Sequence, residues 1–214
     1  MTGRRSDLVT GCLTTSALVD ACSELAAKDG HLTAVLTRLG PPPMWDREPG
    51  FPTLLHIILE QQVSLASAKA AFDKLSEAVS PLTPAAFLTL DDRALKEIGF
   101  SGQKGRYCRE AARAIIHGAL DLEALAVLPD DEVRAELEKV TGIGPWTADI
   151  YLLMVLLRPD VWPSGDLALA VAIQDVKGLD RRPQPEELHE IADRWRPWRS
   201  VAARILWHHY LNPE

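Results

Sequence analysis

Polar and apolar positions alternate along this chain with helical spacing almost throughout. Leu18, Cys22, Leu25 and Ala26 share one face of a segment from Ser16 to Lys28. Leu32, Val35, Leu36 and Leu39 continue the pattern until Gly40 and three prolines end it. From Thr53 to Gln62 the chain is apolar nearly all round (LLHIIL), which predicts a central buried helix. Ser64 reads as the N-cap of a helix to about Ala78, and Thr83-Pro84 pairs a cap with proline at the first helical position. Gly99 closes the short segment DDRALKEI, and Ser101 opens a helix to His117. Further helices are expected over 130–140, 145–157, 166–176, 185–193 and 200–210. No segment alternates as a strand does, and no 20–50 residue repeat is present. The expected class is all-α. Residues 1–13 carry no apolar period and are expected to be disordered, with 14–214 forming one domain.

Composition narrows the setting without choosing a function. The 214 residues allow one domain or two closely fused lobes, and 47% hydrophobic with 25% charged residues is a soluble globular profile. No apolar run has membrane-spanning length, and MTGRRSDLVTG lacks the apolar centre of a signal peptide. Cys12, Cys22 and Cys108 are scattered with no CxxC pair, so neither an iron–sulfur cluster, a zinc site nor a disulfide framework is expected. A reduced, cytoplasmic protein is the reading, in a bacterial cytoplasm or nucleoid, with no membrane partner. The net charge of −7 argues mildly against a nucleic-acid partner, although a local site can override it.

The most informative stretch is LEKVTGIGPWTADIYLLMVLL, residues 137–157. One helix ends in a turn on Gly142-Ile143-Gly144 and Pro145 opens the next, a helix–hairpin–helix at about 131–157. Glycines on both sides let the backbone come close to a ligand, Ile143 would plug the turn into the core, and the helix start presents N–H groups suited to phosphate. Taken alone, GxG is more often an ordinary glycine-capped αα-hairpin. The loop PDVWPSGD follows, with Asp166 at a helix start, where the ordinary role of a lone Asp is an N-cap. Five of the six tryptophans lie between Trp146 and Trp207; Trp162 and Trp195 are read as core. The adjacent His208 and His209 point apart on a helix and are read as structural or exposed.

Together, V-T-G-I-G-P-W-T-A, W-P-S-G-D-L-A-L and the closing RWRPWRSVAARILWHHYL resemble the helix–hairpin–helix (HhH-GPD) DNA glycosylase superfamily, in its 3-methyladenine DNA glycosylase II branch. The resemblance runs from about Leu18 to Leu211 and implies a two-lobed helical fold with a DNA-binding cleft between the lobes. It implies a monofunctional glycosylase of base excision repair, acting as a monomer on double-stranded DNA that contains damaged purines. The bases released would be 3-methyladenine or 7-methylguanine, with ethenoadenine and hypoxanthine as further candidates, and an abasic site would remain. Asp166 would be the catalytic carboxylate, stabilising an oxocarbenium-like transition state and orienting water. A helix N-terminus favours an anionic side chain there.

By the same resemblance Trp146, Trp207 and Tyr151 would line the substrate pocket, where indole faces suit a cationic alkylated base. Bifunctional relatives carry a lysine at the position of Trp146, so AP-lyase activity is not expected. Gly142, Ile143, Gly144 and Thr147 would hold a DNA phosphate, and carbonyls of Val140 and Ile143 would be candidate ligands for a structural Na+ or K+; no other cofactor is implied. LLHIILEQQVSLASAKAAF resembles the segment that brings a wedge to the duplex, which places Gln61 and Gln62 at DNA with Gln62 at the intercalating position; the alternative is a polar helix end. Lys104, Arg106 and Arg109, within GFSGQKGRYCREAA, would contact a phosphate, the alternative being a charged solvated helix face. Three places depart from the pattern: Glu60 where glycine is common, Gly165 where a second Asp is common, and Ile150 where the branch can have an aromatic. The alternatives left open are a non-catalytic helix–hairpin–helix DNA-binding protein and a helical protein unrelated to DNA.

Overall fold

Several helix starts are closed by a side chain just ahead of them. In the computed structural model, which describes residues 11–213, the hydroxyl of Thr14 accepts from Ala17 N–H to open α1 (Thr15–Lys28). Asp29 then accepts from His31 N–H at the start of α2 (Gly30–Leu39). Helix α3 (Phe51–Glu60) has proline in its first turn; Ser64 caps α4 (Leu65–Ala78) and Thr83 caps the single turn α5 (Pro84–Phe87). Asp91 caps α6 (Asp92–Ile98), which Gly99 ends in the left-handed region at φ 114°, and Ser101 caps α7 (Gly102–Ile116). A 3₁₀ turn, Ala124–Val127, precedes α8 (Asp130–Glu138) and α9 (Pro145–Met154). Helices α10 (Leu167–Val176), α11 (Pro185–Asp193) and α12 (Arg199–Leu211) complete the chain. Every regular element among the described residues is helical, as expected from the periodicity.

The chain divides into two compact units, one running up to Asp46 and resuming at Leu152, the other Arg47–Tyr151. The single domain expected over 14–214 is thus built as a discontinuous unit and an inserted one. In the inserted unit α3 is the central helix, with Leu54, Leu55, Ile57 and Ile58 wholly buried, and it packs on α4 and α7. In the other unit α12 is central and packs on α1, α2, α10 and α11.

Two expectations need revision. Of the segment 1–13, residues 1–10 lie outside the described residues, but Leu13 is buried and its N–H donates to Leu157 O at 2.7 Å. That bond ties the chain in before α1 begins. The helix expected over 145–157 stops at Met154, because Leu157 takes a left-handed φ of 54° and Arg158 N–H returns to Leu152 O at 3.0 Å.

Helix α12 also buries a charge. Arg204 is fully buried and donates to the carbonyls of Met44 (2.7 Å), Leu153 (2.8 Å) and Ser200 (3.1 Å). Burial pulls the guanidinium down to about 10, leaving it charged at neutral pH. A planar fork reaches three separated carbonyls from three different nitrogens, where an ammonium would donate from one. Arg204→Met removes the desolvation cost but strands those acceptors, so we expect a net loss of about 2–4 kcal/mol in urea denaturation. An unchanged midpoint would show that the three carbonyls find other donors.

Candidate active site

The hairpin lies in the inserted unit up to Tyr151. Its turn is closed by Ile143 N–H, which donates to Val140 O at 3.0 Å, and Ala148 N–H donates to Gly144 O at 3.1 Å to begin the helical ladder. Val140 and Ile143 are buried, so the apolar plug expected of Ile143 is in place. Its amide, however, is consumed in closing the turn and does not face a ligand, which corrects the expectation that Ile143 N–H holds phosphate. Among the described residues no acceptor meets the N–H of Gly142 or Gly144. Those two are among the donors that the hairpin can present.

Gly142 is required by its seat. Its φ is 98°, and a Cβ there would lie 2.1 Å from Cγ of Tyr107 on α7. Gly144, by contrast, has nothing within 4 Å of the corresponding position. Below the turn, Gln61 Nε2 donates to Gly142 O and to Thr147 Oγ1, both at 2.8 Å. Lys104 Nζ donates to Gln61 Oε1 at 3.0 Å and to Ile58 O at the end of α3. Burial pulls Lys104 down to about 8. Three residues expected to face DNA are therefore engaged inside the unit. Gln61 is bonded on both sides of its amide, Thr147 is 2% exposed, and the Lys104 ammonium is turned onto α3. Lys104 meets a carbonyl in the last turn of α3, and Gln61 links it to a carbonyl and a hydroxyl of the hairpin.

Gln62 behaves differently. It is exposed and holds φ 58° between α3 and α4, a left-handed conformation uncommon for a side-chain-bearing residue. Glu60, the departure from the expected glycine, is buried and accepts both Arg47 Nη1 and Nη2 at 2.9 Å. His56 stands 3.6 Å from it and stacks on Phe72; burial holds His56 below its ordinary range, so Arg47 is the cation that compensates Glu60 at neutral pH. Nothing in the sequence pattern pointed to Arg47. A second unforeseen pair braces the hairpin: Asp149 of α9, 3% exposed, accepts from Arg134 Nε of α8 at 2.8 Å. Asp149 together with the neighbouring Asp130 and Asp131 raises Arg134, against the opposing effect of burial.

Of the expected pocket residues in this unit, Trp146 is partly exposed. Tyr151 is wholly buried with no hydrogen-bond partner for its hydroxyl, and burial lifts the phenol to about 12. A side chain with no accessible surface cannot line a pocket, so that expectation is corrected. Tyr151 is core.

Asp166 belongs to the discontinuous unit. It caps α10, with Oδ1 accepting from Leu169 N–H at 2.9 Å. The same oxygen accepts from the indole N–H of Trp207 at 3.3 Å. The structure thus brings together Asp166 and Trp207, residues 41 apart in sequence, and buries both, at 9% and 8% exposure. The loop before Asp166 is pinned from α12 and the residues just ahead of it: Ser200 Oγ accepts from Val161 N–H at 2.9 Å, and Asp160 accepts from Arg196 and Arg199. Gly165, where a second Asp was common, turns the loop at φ 77°. Trp162 and Trp195 pack ring to ring at 5.7 Å, and Trp195 N–H donates to Asp29, so both are core as expected. His209 is held between Arg38 and Asp175, and His208 stands edge-on to Trp45.

A family model described as HhH-GPD superfamily base excision DNA repair protein matches residues 55–197. The chain is 30% identical over 171 residues to a DNA-3-methyladenine glycosylase of Bacillus subtilis, covering 73% of this chain and 56% of that protein. It is 28% identical to DNA-3-methyladenine glycosylase 2 of Escherichia coli, covering 83% of this chain and 65% of the relative. The chain therefore spans only a little over half of the Bacillus relative's length. Among solved structures, 3-methyladenine DNA glycosylase (Mag1) of Schizosaccharomyces pombe in complex with abasic DNA superposes with TM-score 0.84 at 25% identity, over 88% of this chain and 95% of that one.

Proposed function

We infer a reaction from one premise: this chain belongs to the HhH-GPD superfamily of base excision DNA repair proteins. The reading is a monofunctional DNA glycosylase that releases alkylated purines, 3-methyladenine and 7-methylguanine foremost, from double-stranded DNA. The observation that carries it is the Asp166 carboxylate held against the Trp207 indole at 3.3 Å, at the start of α10. Fixed by a backbone N–H and an indole N–H, the carboxylate is already oriented before any substrate arrives, which is how a charged group acts most strongly on a transition state.

In the reaction the bond from C1′ to the base nitrogen breaks, and its electron pair leaves with the base. Positive charge develops on the sugar, where Asp166 opposes it. Water then adds to C1′ and loses its proton, with Asp166 placed to orient that water or accept the proton. An alkylated purine that already carries positive charge leaves readily, and an electron-rich indole face attracts it. The relatives' names, 3-methyladenine glycosylases, agree with that class of base. The superposed Mag1 structure holds abasic DNA, the kind of product this reaction leaves.

The hairpin would hold phosphate through the Gly142 and Gly144 N–H groups, and Gln62, exposed with its left-handed φ, would be the wedge. A Na+ or K+ at the hairpin would be taken by the carbonyls of Val140 and Ile143. Val140 O already accepts from Ile143 N–H but keeps a second lone pair, so these residues fit such an ion. When bound, the ion would offset phosphate charge.

Incubation with methylated DNA should release methylpurines, detected by chromatography, with no strand cleavage and no adduct trapped by borohydride. The second outcome rests on Trp146, which has no amine to form a Schiff base. No release from alkylated, deaminated and etheno-adduct DNA would overturn the enzymatic reading. Release accompanied by a trapped adduct would overturn only its monofunctional part.

A further inference from the structure

The loop that carries the wedge and the turn that presents the phosphate donors are joined by one side chain. Gln61 directly precedes Gln62 and reaches Gly142 O and Thr147 Oγ1 with its amide nitrogen. The direction of that amide is not free. Lys104 has only N–H groups to offer, so Gln61 Oε1 must face it, and the two N–H groups must face Gly142 and Thr147. A flipped amide would set N–H against N–H at Lys104 and oxygen against oxygen at Gly142. Lys104 is anchored in turn on Ile58 O, in the last turn of the helix that ends at Gln61. All these groups lie within the inserted unit.

We propose that Gln61 is a positioning residue that fixes the Gly142–Thr147 turn to the loop carrying Gln62, so that phosphate grip and wedge meet a duplex in fixed register, with Lys104 setting the direction of its amide. The proposal rests on the DNA glycosylase reading above. It predicts that disturbing Gln61 weakens DNA binding although both N–H groups of Gln61 are taken and none is left to offer a phosphate. A pre-set turn needs no ordering when DNA arrives, and affinity reflects that saving. The chemical step, carried by Asp166, should be untouched once DNA is bound.

The test uses the full chain with a duplex containing a tetrahydrofuran abasic analogue, and with a methylated duplex for single-turnover release. Gln61→Glu keeps the volume and the Lys104 partner but sets an oxygen against Gly142 O; Gln61→Met keeps only the volume. Both are expected to weaken binding to the abasic duplex about tenfold or more, the scale of one or two lost hydrogen bonds. Release at saturating protein should stay near the wild-type rate, and amides of the 141–148 segment should exchange faster. Lys104→Met should show a smaller loss of affinity, and Lys104→Arg should restore it. Wild-type affinity in Gln61→Glu would overturn the proposal, as would a loss that appears equally in the saturated release rate. If the Gln61 variants do not fold, Lys104→Met decides, because unchanged affinity there shows that the amide needs no guide. Wild-type protein that binds the abasic duplex but releases no base would overturn the glycosylase reading and leave this one to be scored on affinity. Failure to bind any duplex would overturn both.

Discussion

Asp166→Asn should fold as the wild type does and lose base release by about two orders of magnitude or more. The two halves of that expectation come from the same two bonds. Asn is as good an N-cap as Asp, and its Oδ1 can accept from Leu169 N–H and from the Trp207 indole as the carboxylate does. What it cannot do is oppose positive charge on the sugar or take a proton from water. Asp166→Ala would confound the result, since losing the cap alone costs about 1 kcal/mol. Chromatographic release of methylpurines together with a thermal melt separates the effects. Asn protein that melts near wild type and still releases base at a wild-type rate would show that Asp166 is only the cap of α10.

Gly142→Ala should be the most disruptive single methyl group in the hairpin. The added carbon would stand 2.1 Å from Cγ, 2.4 Å from Cδ1 and 2.6 Å from Cβ of Tyr107, at the root of the ring rather than at its mobile end. Its φ of 98° adds strain of its own, so a stability loss of about 2–4 kcal/mol is expected, with DNA affinity falling alongside. Gly144→Ala is the informative contrast. Nothing lies within 4 Å of its Cβ position, so stability should change little, while a methyl group on the surface offered to phosphate should still weaken binding. Thermal melts and abasic-duplex affinity for the pair check this. If Gly144→Ala binds as wild type does, phosphate does not approach the backbone at Gly144.

These contrasts mark how far the residues could be read before the coordinates. Helices were legible because caps and apolar stripes act within one or two turns: Ser64, Asp91, Ser101 and Asp166 each close a helix start from its own residues. The hairpin and the Gly-Asp loop were legible because a turn needs particular residues at particular places, and the motif carries them. The division of labour within the hairpin was not. Gly142 and Gly144 look alike in the sequence, and only the Tyr107 ring, brought there by α7, distinguishes a glycine required for packing from one left open to a ligand.

The polar residues show the same limit more sharply. Gln61, Thr147 and Lys104 have the composition of a DNA contact surface, yet each is spent on carbonyls or hydroxyls that the fold leaves needing a partner. Tyr151, itself expected in the pocket, is turned wholly inward. Glu60 was visible as a departure, but its partner Arg47 lies 13 residues away on an irregular segment and nothing local announces it.

The sequence by itself determined the helical class, the glycine-flanked turn and the cap that Asp166 makes, because each depends on periodicity or on residues adjacent along the chain. Tertiary structure alone decided that the Trp207 indole donates to Asp166, that the Gln61 amide is bonded between Lys104 and the hairpin, and that Arg204 is held by three carbonyls. Those facts depend on which atoms the folded chain brings within 3 Å or so of each other, and a side chain's hydrogen-bonding capacity says only that a partner is required, never which one.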